Sequence, residues 1–401
     1  MTATATAQRI TTSRLRDLLA VWGPAWLVMI ADVDAASVIT AAESGAAYGT
    51  RLVWFLLVLT LPLFVIQEVA GRVGVVTRKG LGELIRENYS RRMAVLASVP
   101  MALVDVISYV VEYTGAAIGF SILGVSPRLS VPLIFLAHIL IVYRRRYAEA
   151  EKPLLVISVL FALACAASAL LTARRGVTVV PFYFEGSSQF MFLLAANVGA
   201  VIMPFMLFYQ ASASAEKGIA ARTLWAVRLE TAIGAIASEI IMVAIAVAAI
   251  GVRTESLTFA SPTGLAQALA DVAGRLAPVV FAVGLIAASF IALIVISLGS
   301  SWGVTEAMGW GRKHWFKVYL VESIPALVVP LITLNLINLA LTLMVLQIAV
   351  LVGPALTLGL IAADRKLMGP YALRGANRVV YWGFVVLIVA TGVASTLQLL
   401  S

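Results

Sequence analysis

Apolar runs of about 20 residues, separated by short polar segments, follow one another along almost the whole chain. A helix needs about 20 predominantly apolar residues to cross the hydrocarbon core of a bilayer. The runs do not alternate with a period of two, so the strands of a membrane barrel are not expected. The pattern therefore predicts an all-α integral membrane protein with about 11 transmembrane helices. The predicted spans cover residues 23–46, 51–71, 94–122, 129–146, 153–173, 190–213, 224–251, 276–303, 318–335, 338–361 and 379–399.

The composition agrees with this class, since 62% of the 401 residues are hydrophobic and only 12% are charged. Soluble chains are about half apolar and about a quarter charged, so lipid must solvate much of this protein. A net charge of +9 would suggest a nucleic-acid partner for a soluble domain. Here the basic residues stand in short loops, where membrane orientation and lipid headgroups account for them. We expect the bilayer as partner and no nucleic acid, and the sequence leaves the oligomeric state open.

The basic residues also predict the orientation of the chain, because cytoplasmic loops are enriched in Lys and Arg. Every second loop is the more basic one if residues 1–22 form a cytoplasmic tail, and that tail lacks the cleavage pattern of a secretory signal. We therefore expect a multi-pass protein of a prokaryotic plasma membrane, with a cytoplasmic N-terminus and an external C-terminus. The first two loops predicted to be cytoplasmic contain Arg78, Lys79, Arg86, Arg91 and Arg92, and then Arg144, Arg145, Arg146 and Lys152.

No linker rich in Pro, Gly or Ser interrupts the chain, which predicts one transmembrane domain over residues 23–401. Two spans, each the first in a group of five, have unusual residues in mid-run. Span one contains Asp32 and Asp34, and span six contains Gly199 and Pro204. Interrupted or polar helices at corresponding positions are typical of inverted-repeat transporters with a site at the bilayer midplane. The predicted repeats cover roughly residues 23–173 and 190–361, and an extra helix covers roughly 379–399.

Asp34 is the strongest candidate for function. An ionised carboxylate near the bilayer centre costs about 2.5–3.5 kcal/mol, so it normally has a partner, a cavity or a cargo. The alternative is a carboxylate that only forms a hydrogen bond to a neighbouring helix. Asp32 is two positions away, or about 200° around a helix, and faces away from Asp34 unless the backbone unwinds. Lining a vestibule and pairing with a basic residue both remain open for Asp32.

In span six, Pro204 removes a backbone donor and frees the carbonyl of Ala200, four residues earlier. A free carbonyl inside a membrane needs a partner, and a cation is one such partner. Met203 beside it offers a soft sulfur ligand, which favours transition metals over magnesium. These residues alone favour a simpler interpretation, namely a proline kink with a methionine that fills a gap.

Other side chains predict no enzyme and no cofactor. Cys165 is the single cysteine and cannot form an intrachain disulfide, and His138 and His314 are too far apart in sequence to suggest a histidine metal cluster. An intramembrane aspartyl protease needs two facing aspartates on separate helices, and a zinc protease needs a His-Glu-x-x-His run. Neither pattern is present.

Several short motifs, in the same order over about 350 residues, resemble the NRAMP family of divalent metal transporters. The segment from Gly23 to Ala46 is similar to the first span of that family. Asp34-Ala35-Ala36-Ser37 occupies the place of its Asp-Pro-Gly-Asn motif, and Met203-Pro204-Phe205 that of its Met-Pro-His motif. The other agreeing stretches are Gln67-Glu68-Val69-Ala70 with Gly74-Val75-Val76-Thr77, Glu112 to Gly119, and Asp364-Arg365-Lys366-Leu367-Met368-Gly369.

The resemblance implies a LeuT-like fold with two inverted five-helix repeats plus one extra helix. It also implies that the transported ion is the substrate. Its ligands would be the Asp34 carboxylate, the carbonyls of Ala31 and Ala200, the Met203 sulfur, and Ser37 in place of the family's asparagine.

The departures from the family motifs are informative. Ala35-Ala36 replaces Pro-Gly, so the break in span one is no longer specified by its usual residues. Phe205 and Gln210 replace histidines, and Tyr109 replaces an acid, which leaves Glu112 from the family's proton path. A proton path in which most titratable side chains are replaced is poorly suited to proton coupling. The positions expected at a vestibule or proton path are Glu112, Asp32, Asn197, Phe205, Tyr109 and Gln210.

Four other carboxylates are weaker candidates for a functional role. Glu68, Glu230 and Glu306 lie near predicted cytoplasmic ends of spans, where we expect pairing with Arg or Lys of the loops. For Glu239, deeper in span seven, a helix contact and a vestibule position remain open.

Fewer and smaller ligands suit Mg²⁺, which keeps several waters and binds through one or two carboxylates. This pattern resembles the NRAMP-related magnesium transporters. Met203 favours a softer ion, and Mn²⁺ satisfies both considerations. We therefore expect transport of Mg²⁺, Mn²⁺ or both, with weak or no proton coupling. The alternatives are a proton-coupled Mn²⁺/Fe²⁺ carrier and a LeuT-like carrier of organic solutes such as amino acids. An acid at the midplane disfavours the latter because it repels carboxylates.

Overall fold

The computed structural model of the chain describes residues 14, 16–143, 178, 180–250, 270, 274–332 and 336–400. All regular secondary structure in these ranges is helical. In chain order the α-helices are α1 (Pro24–Ala31), α2 (Ala35–Tyr48), α3 (Val53–Thr77), α4 (Leu81–Asn88), α5 (Arg91–Ile122), α6 (Pro127–Tyr143), α7 (Ser188–Val201), α8 (Pro204–Glu216), α9 (Leu224–Ala248), α10 (Ala277–Met308), α11 (Trp315–Ile332), α12 (Leu336–Ala363), α13 (Arg365–Met368) and α14 (Gly375–Leu400).

Every predicted span except the fifth coincides with one of these helices or with a broken pair of them. The predicted fifth span, 153–173, lies outside the described residues. Span one is the pair α1 and α2, and span six is the pair α7 and α8. The short amphipathic helix α4 in the loop after span two is an addition that the search for long apolar runs could not detect.

The centre of the molecule is formed by α5 and α10, which are 32 residues long and pack against each other. Small residues allow other helices to approach closely. A Cβ atom on Gly45 in α2 would lie 1.9 Å from the Ala246 carbonyl oxygen in α9, and one on Gly199 in α7 would lie 1.9 Å from that of Met344 in α12. Small residues at such crossings are typical of membrane helices, which lack a hydrophobic driving force for association.

The outer surface is strongly apolar. Leu96 on α5 and Val321 on α11 are each 72% exposed, and Leu61 on α3 is 58% exposed. Among the described residues, seven helical stretches are long and apolar enough to cross a membrane. Exposed leucine and valine on such helices are stable in contact with lipid, so the chain is a multi-pass integral membrane protein.

Candidate metal site

The first break lies at Asp32-Val33-Asp34, between the end of α1 and the start of α2. Asp34 has an extended backbone and caps α2, because its Oδ1 accepts a hydrogen bond from the Ser37 amide at 2.7 Å. A side-chain cap of this kind offsets the loss of helical hydrogen bonds at a break. The helix is therefore interrupted without the family's Pro-Gly, since Asp34 caps a new helix through the backbone amide of residue 37.

The break also changes the environment of the Ala31 carbonyl. In an unbroken helix this oxygen would accept from the Ala35 amide four residues later. The Ala35 amide instead donates to the Glu112 carboxylate of α5, at 3.2 Å to Oε1 and 3.1 Å to Oε2. Glu112 thus holds the N-terminus of α2, where a negative charge is favourable, and the Ala31 carbonyl lacks its usual helical donor.

The second break lies at Ile202 and Met203, which are both extended between α7 and α8. Pro204 is the first residue of α8, a position where proline costs no hydrogen bond. The carbonyl of Ala200, which loses a helical donor to this proline, accepts a hydrogen bond from the Ser37 hydroxyl at 3.0 Å. This bond joins the two breaks directly.

The residues expected as ion ligands are thus collected at two adjoining breaks, and their exposed fractions are 1% for Asp34 and 0% for the others. The Asp34 Oδ2 atom has no hydrogen-bond partner within the described part of the chain. Ser37 uses its proton on Ala200, so its oxygen lone pairs remain open to a cation. The expected ligand positions are Asp34, Ala31, Ser37, Ala200 and Met203.

Further carboxyl groups lie near the first break. Asp32 accepts from the Ser238 hydroxyl of α9 at 2.8 Å, and Glu239 lies close enough to interact with it electrostatically. Asp34 also contributes to the field at Asp32. The two Glu239 oxygens and Asp32 Oδ1 have no hydrogen-bond partner among the described residues. Of the two possibilities left open for Asp32, this position beside other acids favours a vestibule that attracts cations.

The other predicted positions lie outside the joined breaks. Asn197 donates to the Ser44 hydroxyl of α2 at 2.9 Å and to the carbonyl of Leu193 at 2.7 Å. Gln210 is fully buried on α8, seven residues beyond Met203. Phe205 and Tyr109 are likewise fully buried, and the Tyr109 hydroxyl donates to the Ser297 hydroxyl of α10 at 3.1 Å.

Sequence reasoning missed a second buried polar region along α5. It contains Asp105 and Glu322, and the imidazole of His138, which is 2.9 Å from the Tyr113 hydroxyl and 2.8 Å from the Ser297 hydroxyl. The signal was present, because Asp105 interrupts the apolar run 94–122 in the same way as Asp34 interrupts the first run. The free-energy cost of an ionised carboxylate inside the membrane applies to Asp105 as it does to Asp34.

Two helices that break at adjoining positions, with a carboxylate and carbonyls at the breaks, are typical of secondary transporters with an ion site at the bilayer midplane. Within the described residues, no group of three or more His, Cys, Asp and Glu side chains has the arrangement of a metal site. An ion would therefore be held by few charged ligands, with backbone and neutral donors completing its shell.

Comparisons with known proteins identify the kind of transporter. The chain matches the family described as natural resistance-associated macrophage protein-like (Nramp) over residues 25–398, and it belongs to this family. Members of the Nramp family transport divalent metal ions, so the chain is a transporter and not an enzyme, and the metal is its substrate and not a cofactor.

Solved structures show the same fold. The manganese transporter of Eremococcus coleocola, in complex with an aromatic bis-isothiourea substituted compound, is 18% identical with a TM-score of 0.80, over 95% of this chain and 87% of that chain. MhsT in complex with L-phenylalanine is 14% identical with a TM-score of 0.61, over 94% of this chain and 98% of that chain. The nucleobase-cation-symport-1 family transporter Mhp1 is 12% identical with a TM-score of 0.51, over 93% of this chain and 92% of that chain. The fold is therefore LeuT-like, as the sequence predicts.

Proposed function

We propose that this protein carries Mg²⁺, Mn²⁺ or both across a plasma membrane by alternating access, with weak or no proton coupling. The ion binds to the Asp34 carboxylate, the carbonyls of Ala31 and Ala200, the Ser37 hydroxyl and the Met203 sulfur. The observation that supports this assignment best is the hydrogen bond from Ser37 to Ala200. It joins the two helix breaks, one of which contains a carboxylate oxygen without a partner.

The charge distribution supports a hydrated hard ion, as in the magnesium-transporting branch of the family. Asp32 lies close enough to both Asp34 and Glu239 to interact with them electrostatically, yet the three acids do not form a direct ligand cluster. Carboxylates outside the first ligand shell stabilise a cation through its bound waters. Mg²⁺ retains several waters in protein sites, so this arrangement suits it.

The replacement of most titratable side chains of the family's proton path supports weak proton coupling. Phe205, Tyr109 and Gln210 do not titrate near neutral pH, and Glu112 is engaged with the amide of Ala35. The second candidate is a proton-coupled Mn²⁺/Fe²⁺ carrier, which is favoured by the thioether of Met203 and by Glu112 beside the first break. A carrier of organic anions is disfavoured, because Asp34 occupies the region where such a carrier holds a substrate carboxylate.

Replacing Asp34 with asparagine tests the site. Asp34→Asn retains an oxygen that can accept from Ser37 but removes the charge on the atom without a partner, so we expect ion flux to fall to background. The measurement is Mn²⁺ and Mg²⁺ uptake into proteoliposomes that contain equal amounts of protein. The matched control is Asp364→Asn, which removes the same charge from the cap of α13 and is expected to retain flux. Substantial flux through Asp34→Asn would remove Asp34 from the site.

A further inference from the structure

Asp105 on α5 and Glu322 on α11 form a second pair of carboxylates inside the helix bundle. Asp105 is fully buried and Glu322 is 4% exposed. None of their four oxygens has a hydrogen-bond partner among the described residues, and the two groups are close enough to interact electrostatically. Two like charges in a low-dielectric interior repel each other strongly unless a cation lies between them.

Neutral oxygen donors complete this cluster. The Ser300 hydroxyl on α10 lies beside both carboxylates, is fully buried and has no hydrogen-bond partner within the described ranges. Gln347 on α12 also lies beside Asp105, and its amide nitrogen donates to the Ser108 hydroxyl at 3.1 Å, which leaves its Oε1 without a partner. Four helices thus contribute oxygen atoms to one buried location.

No Lys or Arg of the described residues forms an ion pair with either acid. The described residues therefore pair no positive charge with these acids, and a bound ion is one way to supply it. A divalent ion balances two carboxylates, whereas a monovalent ion leaves one negative charge uncompensated. An all-oxygen ligand set selects hard ions such as Mg²⁺, Ca²⁺ and Mn²⁺ over softer ones.

The cluster is distinct from the site at Asp34. Asp105 precedes Glu112 by seven residues on α5, which corresponds to about 10 Å along the helix axis. Glu112 contacts the first break through Ala35. The displacement is toward the Arg91 end of α5, where the basic loop begins. Along α5, Asp105 therefore lies between Glu112 and the basic loop.

We propose that Asp105, Glu322, Ser300 and Gln347 form a second site for a hard divalent cation, placed between the central site and the basic end of the transporter. The inference rests on the proposed function for the class of ion. A bound divalent ion compensates the charge of the two buried acids.

Binding stoichiometry tests the second site directly. The full chain is purified in detergent, and Mn²⁺ binding is measured by equilibrium dialysis with electron paramagnetic resonance of the free ion. We expect about two equivalents for the unaltered chain and about one for Asp105→Asn combined with Glu322→Gln, since these amides keep the shape but lose the charge needed by a hard ion. Ser300→Ala should weaken the second equivalent by about tenfold or less, as the loss of one neutral ligand.

The control variant is Ser98→Ala, which removes a buried hydroxyl without a partner from the same helix and should leave binding unchanged. Gel filtration and thermal unfolding without metal establish that each variant is folded. If the Asp105/Glu322 double variant binds as many equivalents as the unaltered chain, the acids share protons and the proposal is wrong. If Asp34→Asn removes no equivalent while the double variant removes one, the second site stands and the assignment of Asp34 fails.

Discussion

At the residue scale, the two oxygens of Asp34 have different roles. Oδ1 accepts from the Ser37 amide and starts α2, whereas Oδ2 is buried and has no partner within the described chain. The residue therefore supports the helix break and also presents charge at it. Because this buried oxygen has no hydrogen-bond partner among the described residues, it is the atom that we expect to bind the cation.

The sulfur of Met203 tests the choice between hard and soft ions. Met203→Ala removes a thioether that contributes to Mn²⁺ or Cd²⁺ binding and little to Mg²⁺ binding, so we expect apparent affinity to fall by about tenfold more for the first two ions. The measurement is concentration-dependent uptake of each ion by proteoliposomes. Met242→Ala, at a buried methionine of α9, is the control for lost volume. Equal losses for the three ions would show that the sulfur is not a ligand.

The sequence located Asp34 because a charge in an apolar run is conspicuous, and the family motif supplied Ala31, Ser37, Ala200 and Met203 as its partners. The sequence did not predict contacts between segments that are distant along the chain. Nothing local indicates that the Ser37 hydroxyl meets Ala200, or that Glu112 receives the Ala35 amide. These bonds arise from packing among α2, α5 and α7.

At the element scale, α1 depends on a cap that comes from another helix. Oε1 of Glu230 on α9 accepts from the amides of Gly23 at 2.6 Å and Trp26 at 2.9 Å. The first amides of a helix have no internal acceptor, so a buried start needs such a partner. We expected Glu230 to pair with a basic residue of a loop. Its carboxylate instead caps the N-terminus of α1, which is far from Glu230 in the sequence.

Removing this cap should loosen α1. Glu230→Ala leaves two buried amides without their acceptor, at a cost of about 1–3 kcal/mol. We expect the amides of residues 25–31 to exchange hydrogen with solvent about 5- to 160-fold faster, as measured by mass spectrometry. Glu230→Gln keeps an oxygen in the same place and serves as the matched control, with a smaller change. Unaltered exchange in Glu230→Ala would show that packing alone holds α1.

Element existence was more predictable than element boundaries. Runs of apolar residues gave the spans, and Pro204 marked the second break. The second span was expected to end at residue 71, yet α3 continues to Thr77, because Arg72 to Val75 are buried in protein. A span predicted from apolar residues ends at the first charged residue. The helix itself continues for as long as its residues are packed against other helices.

At the scale of the whole molecule, polar contacts join helices at the basic end of the bundle. Glu68 on α3 pairs with Arg72 and with Arg228 on α9, the latter at 2.7 Å. This bears out an ion pair for Glu68, although with residues of helices and not of loops. Glu306 on α10 accepts from the Ser212 hydroxyl of α8 at 2.8 Å, which links one broken helix to the central pair.

Ser212→Ala tests whether the link between α8 and α10 keeps this end closed. Loss of a hydrogen bond to a charged group costs about 1.5–3 kcal/mol, so we expect a larger population open at the basic end. Spin labels at Arg222→Cys and Lys313→Cys, on a Cys165→Ser background, should show longer distances. Ser214→Ala is the control, since that hydroxyl has no hydrogen-bond partner in the described residues. The same distance distribution in both variants would exclude a gating role for Ser212.

The most direct test of the whole account is ion flux into proteoliposomes, with Mg²⁺ compared with Mn²⁺ and with an internal dye that reports pH. The small number of charged ligands and the replacement of most titratable side chains of the family's proton path predict Mg²⁺ flux without acidification. Mn²⁺ flux with acidification and no Mg²⁺ transport would contradict the account and favour the proton-coupled alternative.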